Sequence, residues 1–94
     1  MRQTSAGLSK TSHEILRRLY PDIKRSIRKA LDELSKNPYK GKPLKEELSG
    51  LWSFAVSQYR IIYQVETNAV TVVYIAPRRD VYQYIRELLA EKKS

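Results

Sequence analysis

Three arginines and a tyrosine sit at points in the chain where a phosphate can be handled. Arg60 opens the segment "YRIIYQVE" (59–66), and Arg78, Arg79 and Tyr82 follow the apolar run "VTVVYI" (70–75) within "APRRDVY" (76–82). A turn at the end of a strand has no need of two adjacent arginines, whereas a phosphate site does. Guanidinium groups grip phosphate oxygens through paired hydrogen bonds and stay charged. They also stabilise charge that builds on those oxygens in a transition state. A tyrosine hydroxyl ordinarily titrates at about 10. Neighbouring positive charge lowers that value and makes Tyr82 a workable acceptor for the proton of an RNA 2′-hydroxyl.

These residues are distant in sequence, so secondary structure has to bring them together. "LWSFAV" (51–56) alternates, with Trp52, Phe54 and Val56 on one face, and "YRIIYQVE" and "AVTVVYIA" (69–76) are rich in β-branched and aromatic residues. The pair "TN" at 67–68 marks a turn, so the three segments read as an antiparallel meander that ends at Pro77. That register sets Arg60 opposite about Ala76, next to Arg78. Residues 80–92 carry a helical stripe of Val81, Tyr84, Ile85, Leu88 and Leu89, which places Tyr82 within reach of the same sheet edge.

Upstream, Leu16, Leu19, Tyr20, Ile23, Ile27, Ala30, Leu31 and Leu34 follow three- and four-residue spacing, interrupted by Pro21. Proline suits the first turn of a new helix, with Asp22 favourable beside it. The pattern predicts helices over about 10–20 and 21–36, a helical hairpin, followed by a loop over 35–50 that holds Lys40, Lys42 and Lys45. Helices followed by hairpins indicate an α+β fold with the helices packed on one sheet face.

Composition bounds the function. The chain has 94 residues, which predicts a single domain over 1–94 with one modest core. A net charge of +8 favours polyanionic partners. There is no cysteine, and His13 is the only histidine, which excludes thiol nucleophiles and His/Cys zinc sites and fits a reducing cytoplasm. Asp80 and Glu66 are too scattered to suggest a metal cluster, so neither metal nor cofactor is expected. "MRQTSAGLSK" has no apolar stretch of the kind a secretory signal carries, and no apolar run approaches 18 residues, so no membrane partner is expected. Spacing alone also fits simpler roles: Arg60 as an edge-strand solvating group, Arg78 and Arg79 as a solvated loop, Tyr82 as a boundary residue, and Lys40, Lys42 and Lys45 as an exposed loop. Trp52, Phe54, Ile61, Tyr63, Val72 and Tyr74 read as core rather than as a base-stacking platform. Taken this far, the residues support a polyanion-binding α+β domain.

Four motifs in order go further. "LRRLYPDIKRSIRKALDEL", "NPYKGKPLKEELSGLWSF", "QYRIIYQV" and "YIAPRRDVY" resemble, in turn, the helical hairpin, the loop and first meander strand, the arginine-bearing strand, and the closing strand with C-terminal motif of the RelE/ParE superfamily of toxins from toxin–antitoxin modules. The resemblance spans about His13 to Tyr84 and is best to the RelE-like branch. It implies a RelE-like fold: a helical hairpin on an antiparallel meander, a C-terminal helix over 80–92, and residues 1–9 either a short edge strand or disordered. It also implies a ribosome-dependent endoribonuclease that cuts mRNA without metal, by 2′-hydroxyl attack. Arg60 would hold the scissile phosphate, Arg78 would act as general acid or charge stabiliser, Arg79 would be a neighbouring candidate for that duty, and Tyr82 would be the base. Lys40, Lys42 and Lys45 would contact RNA. The implied partners are a cognate antitoxin, the ribosome and mRNA. An antitoxin that displaces the C-terminal helix would take Tyr82 out of position.

The sequence departs from the pattern at three points. Ser53 and Ala55 stand where active members carry basic residues, and Pro77 stands where a histidine is usual. Two other readings therefore stay open: a ParE-like gyrase inhibitor that acts by binding, and a homologue that only binds antitoxin.

Overall fold

The computed structural model describes residues 5–67 and 69–93. Along the chain run β1 (Ser5–Leu8), α1 (Lys10–Arg18), α2 (Pro21–Lys36), β2 (Lys42–Pro43), β3 (Trp52–Val56), β4 (Tyr59–Glu66), β5 (Ala69–Pro77) and α3 (Val81–Lys93). The strands form one sheet in the order β1-β5-β4-β3-β2. This is the expected α+β architecture, with the meander β3–β4–β5 at its centre.

Local chemistry explains the helix limits. The Ser9 side chain accepts the Ser12 N–H at 3.1 Å and caps α1. The joint at Leu19 and Tyr20 is extended, as a residue before proline requires, and Pro21 opens α2 with Asp22 in its first turn. The first helix thus ends two residues short of the expected 20. The exposed Arg17, Arg18, Arg25, Arg28 and Lys29 face solvent on the far side of the buried stripe Leu16, Ile27, Ala30 and Leu34.

Strand β1, a poor strand by propensity, is held from outside itself. It pairs in parallel with β5, from Ser5↔Ala69 to Leu8↔Val72. The Val72 carbonyl takes the Ser9 N–H at 2.8 Å and the buried Ser12 hydroxyl at 3.0 Å. Tertiary hydrogen bonds therefore override the weak intrinsic preference. Of the expected lead-in over 1–9, residues 1–4 lie outside those described, as does Asn68 of the expected turn.

The antiparallel meander is as expected, and β1 adds a parallel edge strand to it. The structure corrects two other expectations. The 35–50 loop contributes β2, paired as Lys42↔Ser53 and Pro43↔Trp52. The helices also do not share one face. On one side α1 and α2 cover a core of Ile61, Tyr63, Val56, Val70, Val72 and Ile75, joined by Trp52 and Phe54. On the other side α3 packs Val81 and Ile85 onto Ile62, Ala76, Leu48 and Leu51. The physical reason lies in β4, where Ile61, Ile62 and Tyr63 are successive and all fully buried. Adjacent strand residues point to opposite faces, so both faces need cover. Within the expected stripe of α3, Tyr84 is 41% exposed and lies beside Tyr74, with ring centroids 5.9 Å apart, so it borders the contact rather than filling it. Tyr74, expected in the core, is partly buried on this second face.

Candidate functional site

The expected register is the observed one: Arg60 pairs with Ala76, and Tyr59 with Pro77. It holds beyond an irregularity at Ile62/Tyr63, where Ile62 faces Tyr74 and Tyr63 faces Val72. Directly opposed residues share a sheet face. One row on the α3 side is therefore Lys42, Ser53, Ile62 and Tyr74, and the next is Ala55, Arg60 and Ala76. Tyr82, half-buried in the first turn of α3, packs against the cluster that contains Ile62 and Ala76. Arg60 and Tyr82 thus belong to the same face and the same end of the sheet.

Arg60 is half-buried in this row. Its nearest polar neighbour is the Ser53 hydroxyl, 3.5 Å from a terminal guanidinium nitrogen, a long and weak contact. Its Nε is buried and meets no hydrogen-bond acceptor among the described residues. The ion pairs of the described residues lie elsewhere and leave Arg60, Arg78 and Arg79 without a carboxylate partner. A partly desolvated cation with no counter-charge is costly to the fold and suited to an incoming anion. Ser53 itself is only 2% exposed, so the position where the resemblance leads one to expect a basic side chain is here a buried hydroxyl against Arg60.

Arg78 and Arg79 lie in the turn between β5 and α3. The Arg78 N–H donates to the Gln58 carbonyl at 2.7 Å, which ties this turn to the β3–β4 hairpin. That hairpin turns in two residues, with Ser57 at φ 56°, the left-handed conformation such tight turns use. Between the two turns is a cleft of about 650 Å³ lined by Ser57, Gln58, Pro77, Arg78, Arg79 and Asp80. Arg60 and Tyr82 do not line it; they lie on the adjoining α3 side, one residue pair in from Pro77.

The three lysines separate. Lys42 shares the Arg60 face through its pairing with Ser53. Lys40 turns toward α2, with its ammonium 3.7 Å from Glu33. Lys45 is exposed ahead of the short 3-10 turn Glu46–Leu48. Their loop is anchored by Tyr63, whose hydroxyl donates to the Pro38 carbonyl at 2.8 Å and accepts the Gly41 N–H at 3.2 Å. Burial pushes the Tyr63 hydroxyl above its ordinary pKa, and the Gly41 hydrogen bond partly offsets that. Gly41 is needed for this close approach, since a Cβ there would stand 2.5 Å from both the Ser53 carbonyl oxygen and the Tyr63 hydroxyl. Tyr39 packs edge-on against Trp52 with centroids 5.4 Å apart.

Sequence reasoning passed over two cleft residues, Ser57 and Gln58, which carry no signal beyond a turn. It weighed Asp80 only as a metal ligand and set it aside. Among the described residues no group of three His, Cys, Asp or Glu gathers, and no helix is long and apolar enough to cross a membrane.

Comparison with known proteins gives a consistent picture. Residues 8–82 match the family model for the ParE toxin of the type II toxin–antitoxin system parDE. The chain is similar to toxin RelG of Mycobacterium tuberculosis, at 34% identity over 77 residues, covering 78% of this chain and 88% of the relative. It superposes on the toxin–antitoxin complex RelBE2 of the same organism with a TM-score of 0.75, at 27% identity over 82% of this chain and 93% of the other. The chromosomal ParDE toxin–antitoxin system of P. aeruginosa shares the fold, with a TM-score of 0.65 at 11% identity over 80% and 96% of the two chains.

Proposed function

The chain belongs to the RelE/ParE superfamily of toxins of type II toxin–antitoxin modules, and from that premise we propose that it is an endoribonuclease that cuts mRNA on the ribosome and so halts translation. The observation that carries this reading is Arg60, a half-buried guanidinium with an unbonded Nε and no carboxylate partner among the described residues, beside a cleft lined by Arg78 and Arg79. A protein that only needed a charged surface gains nothing from burying that cation.

In the proposed reaction the RNA 2′-oxygen attacks the adjacent phosphorus and the bond from phosphorus to the 5′-oxygen breaks. The products are a 2′,3′-cyclic phosphate and a 5′-hydroxyl, whose proton comes from solvent. Arg60 holds the scissile phosphate. Arg78 and Arg79 offset the charge that grows on its oxygens. The acceptor of the 2′-hydroxyl proton belongs to the segment 78–82, where the resemblance assigns it to Tyr82. Lys42 extends positive charge along the Arg60 face, and Lys40 and Lys45 contact RNA from the loop's outer surface. No step requires a cofactor. The partners are a cognate antitoxin that neutralises the basic surface, together with the ribosome and its message, and the setting is the cytoplasm.

A second reading, inhibition of DNA gyrase by binding, is favoured by the ParE description of the matching family model and by the uncharged Ser53 and Ala55. Two assays separate them. Purified chain in a cell-free translation reaction is expected to give new 5′ ends at codon-phased positions on primer extension, and to leave gyrase supercoiling unchanged. An intact message together with blocked supercoiling would replace the first reading with the second.

A further inference from the structure

We propose that Asp80, rather than Tyr82, accepts the proton of the attacking 2′-hydroxyl. The inference rests on the endoribonuclease reading and assigns a residue that the resemblance does not.

Four observations meet at Asp80. It lines the same cleft as Arg78 and Arg79, with Ser57 and Gln58 from the facing hairpin. It stands at the cap position of α3, since its carbonyl accepts the Tyr84 N–H at 3.2 Å. Yet its carboxylate caps nothing. Ser9 before α1 and Asn37 before the short 3-10 turn Pro38–Lys40 each accept a backbone N–H, at 3.1 and 3.3 Å, while the Asp80 side chain makes no hydrogen bond among the described residues. It also forms no ion pair with Arg78 or Arg79, its charged neighbours in the cleft. A half-buried carboxylate beside two arginines that neither caps its helix nor pairs with them is held for something else.

The chemistry needs such a group. A carboxylate oxygen is an acceptor, whereas a phenol hydroxyl carries a proton of its own. The balance is simple: the 2′-hydroxyl proton passes to a carboxylate oxygen, the 2′-oxygen bonds to phosphorus, the 5′-oxygen leaves and is protonated by water, and Asp80 returns its proton to solvent. General-base catalysis of this kind contributes roughly 10²- to 10⁴-fold. Tyr82, packed on Ile62 and Ala76, then forms the wall against which the attacking nucleotide rests.

The test is single-turnover cleavage of ribosome-bound mRNA by Asp80→Asn, Asp80→Glu and Tyr82→Phe, with thermal unfolding of each. Asparagine is as good a helix cap as aspartate, so a capping role survives Asp80→Asn and a base role does not. We expect Asp80→Asn to lose at least about 100-fold in maximal rate with half-saturation little changed. Asp80→Glu should recover part of that loss, and Tyr82→Phe should lose markedly less than Asp80→Asn. Cleavage by Asp80→Asn within threefold of wild type overturns the proposal and leaves the nuclease reading intact. So does a loss in Asp80→Asn that appears with a lowered unfolding temperature and is not relieved by Asp80→Glu. A wild-type chain that cuts no message overturns both.

Discussion

The two faces of the sheet are built to different ends. The face under α1 and α2 is a continuous apolar layer in which Ile61, Tyr63, Val70 and Val72 are fully buried and every strand from β3 to β5 contributes. The face under α3 has a smaller apolar cluster at one end, with Arg60, the buried Ser53 and the arginine turn beside it. The helical hairpin is continuous with its core through Leu16, Ile27 and Leu34, whereas α3 rests on its face through Val81, Ile85, Tyr82 and Leu89. One face stores the stability, and the other can then keep an unneutralised guanidinium half out of water. A charge of that kind is tolerable only on a scaffold stabilised elsewhere.

Substitutions should therefore divide by face. The largest effect is expected from the double change Arg78→Ala with Arg79→Ala, which should lower cleavage about 10²- to 10³-fold while the urea midpoint stays put; a collapse of the fold would show that the turn is structural. Next is Ile61→Ala on the opposite face, fully buried in the wild type. It should cost about 3 kcal/mol in urea unfolding through lost burial and a residual cavity, with cleavage by the remaining folded fraction unchanged.

Tyr63→Phe probes the link between the faces, because Tyr63 sits in the large core and its hydroxyl holds the lysine loop. Loss of both hydrogen bonds should cost about 1–2 kcal/mol. The pH dependence follows from the raised value at Tyr63. Above about 10 the unfolded chain gives up this proton more readily than the folded one, so stability falls as pH rises. Unfolding temperatures measured from pH 8 to 11 should drop for wild type and drop less steeply for Tyr63→Phe. The smallest effect belongs to Glu47→Ala. It removes the 2.8 Å pair with Arg86, but both side chains are more than half exposed, at 56% and 61%. A stability change of at most about 0.5 kcal/mol is expected; a change above about 2 kcal/mol would mean that α3 depends on that tether.

The placement of Arg60 and the helical hairpin was legible in the sequence, whereas the division between the faces was not. The approximate pairing of Arg60 with Ala76 followed from a short turn and two β-rich segments, and the one-residue shift at Ile62/Tyr63, between the turn and Arg60, sets the partner at Ala76 rather than Ile75. The helical hairpin followed from Pro21 and a clean apolar stripe. The rest depends on contacts that spacing does not encode. Strand β1 exists because the Val72 carbonyl gathers Ser9 and Ser12, and β2 because Gly41 lets the loop approach β3 closely. The two-sided burial of Ile61, Ile62 and Tyr63 was visible as an apolar run, yet the order of helices before hairpins suggested a sheet covered on one face only. Lys40, grouped with Lys42 and Lys45 by sequence, parts from them because Glu33 is within its reach. Asp80 was weighed in the sequence only as a metal ligand beside Glu66, because spacing does not show that it shares a cleft with Ser57 and Gln58.

The most direct measurement is Arg60→Ala, with primer extension on translated mRNA and urea unfolding carried out on the same preparation. The account predicts that codon-phased 5′ ends disappear while the unfolding midpoint is unchanged or slightly raised, because a costly half-buried charge has gone. Undiminished cutting, or lost cutting accompanied by a markedly lower midpoint, would contradict the claim that this face is held ready for phosphate by the stability of the other.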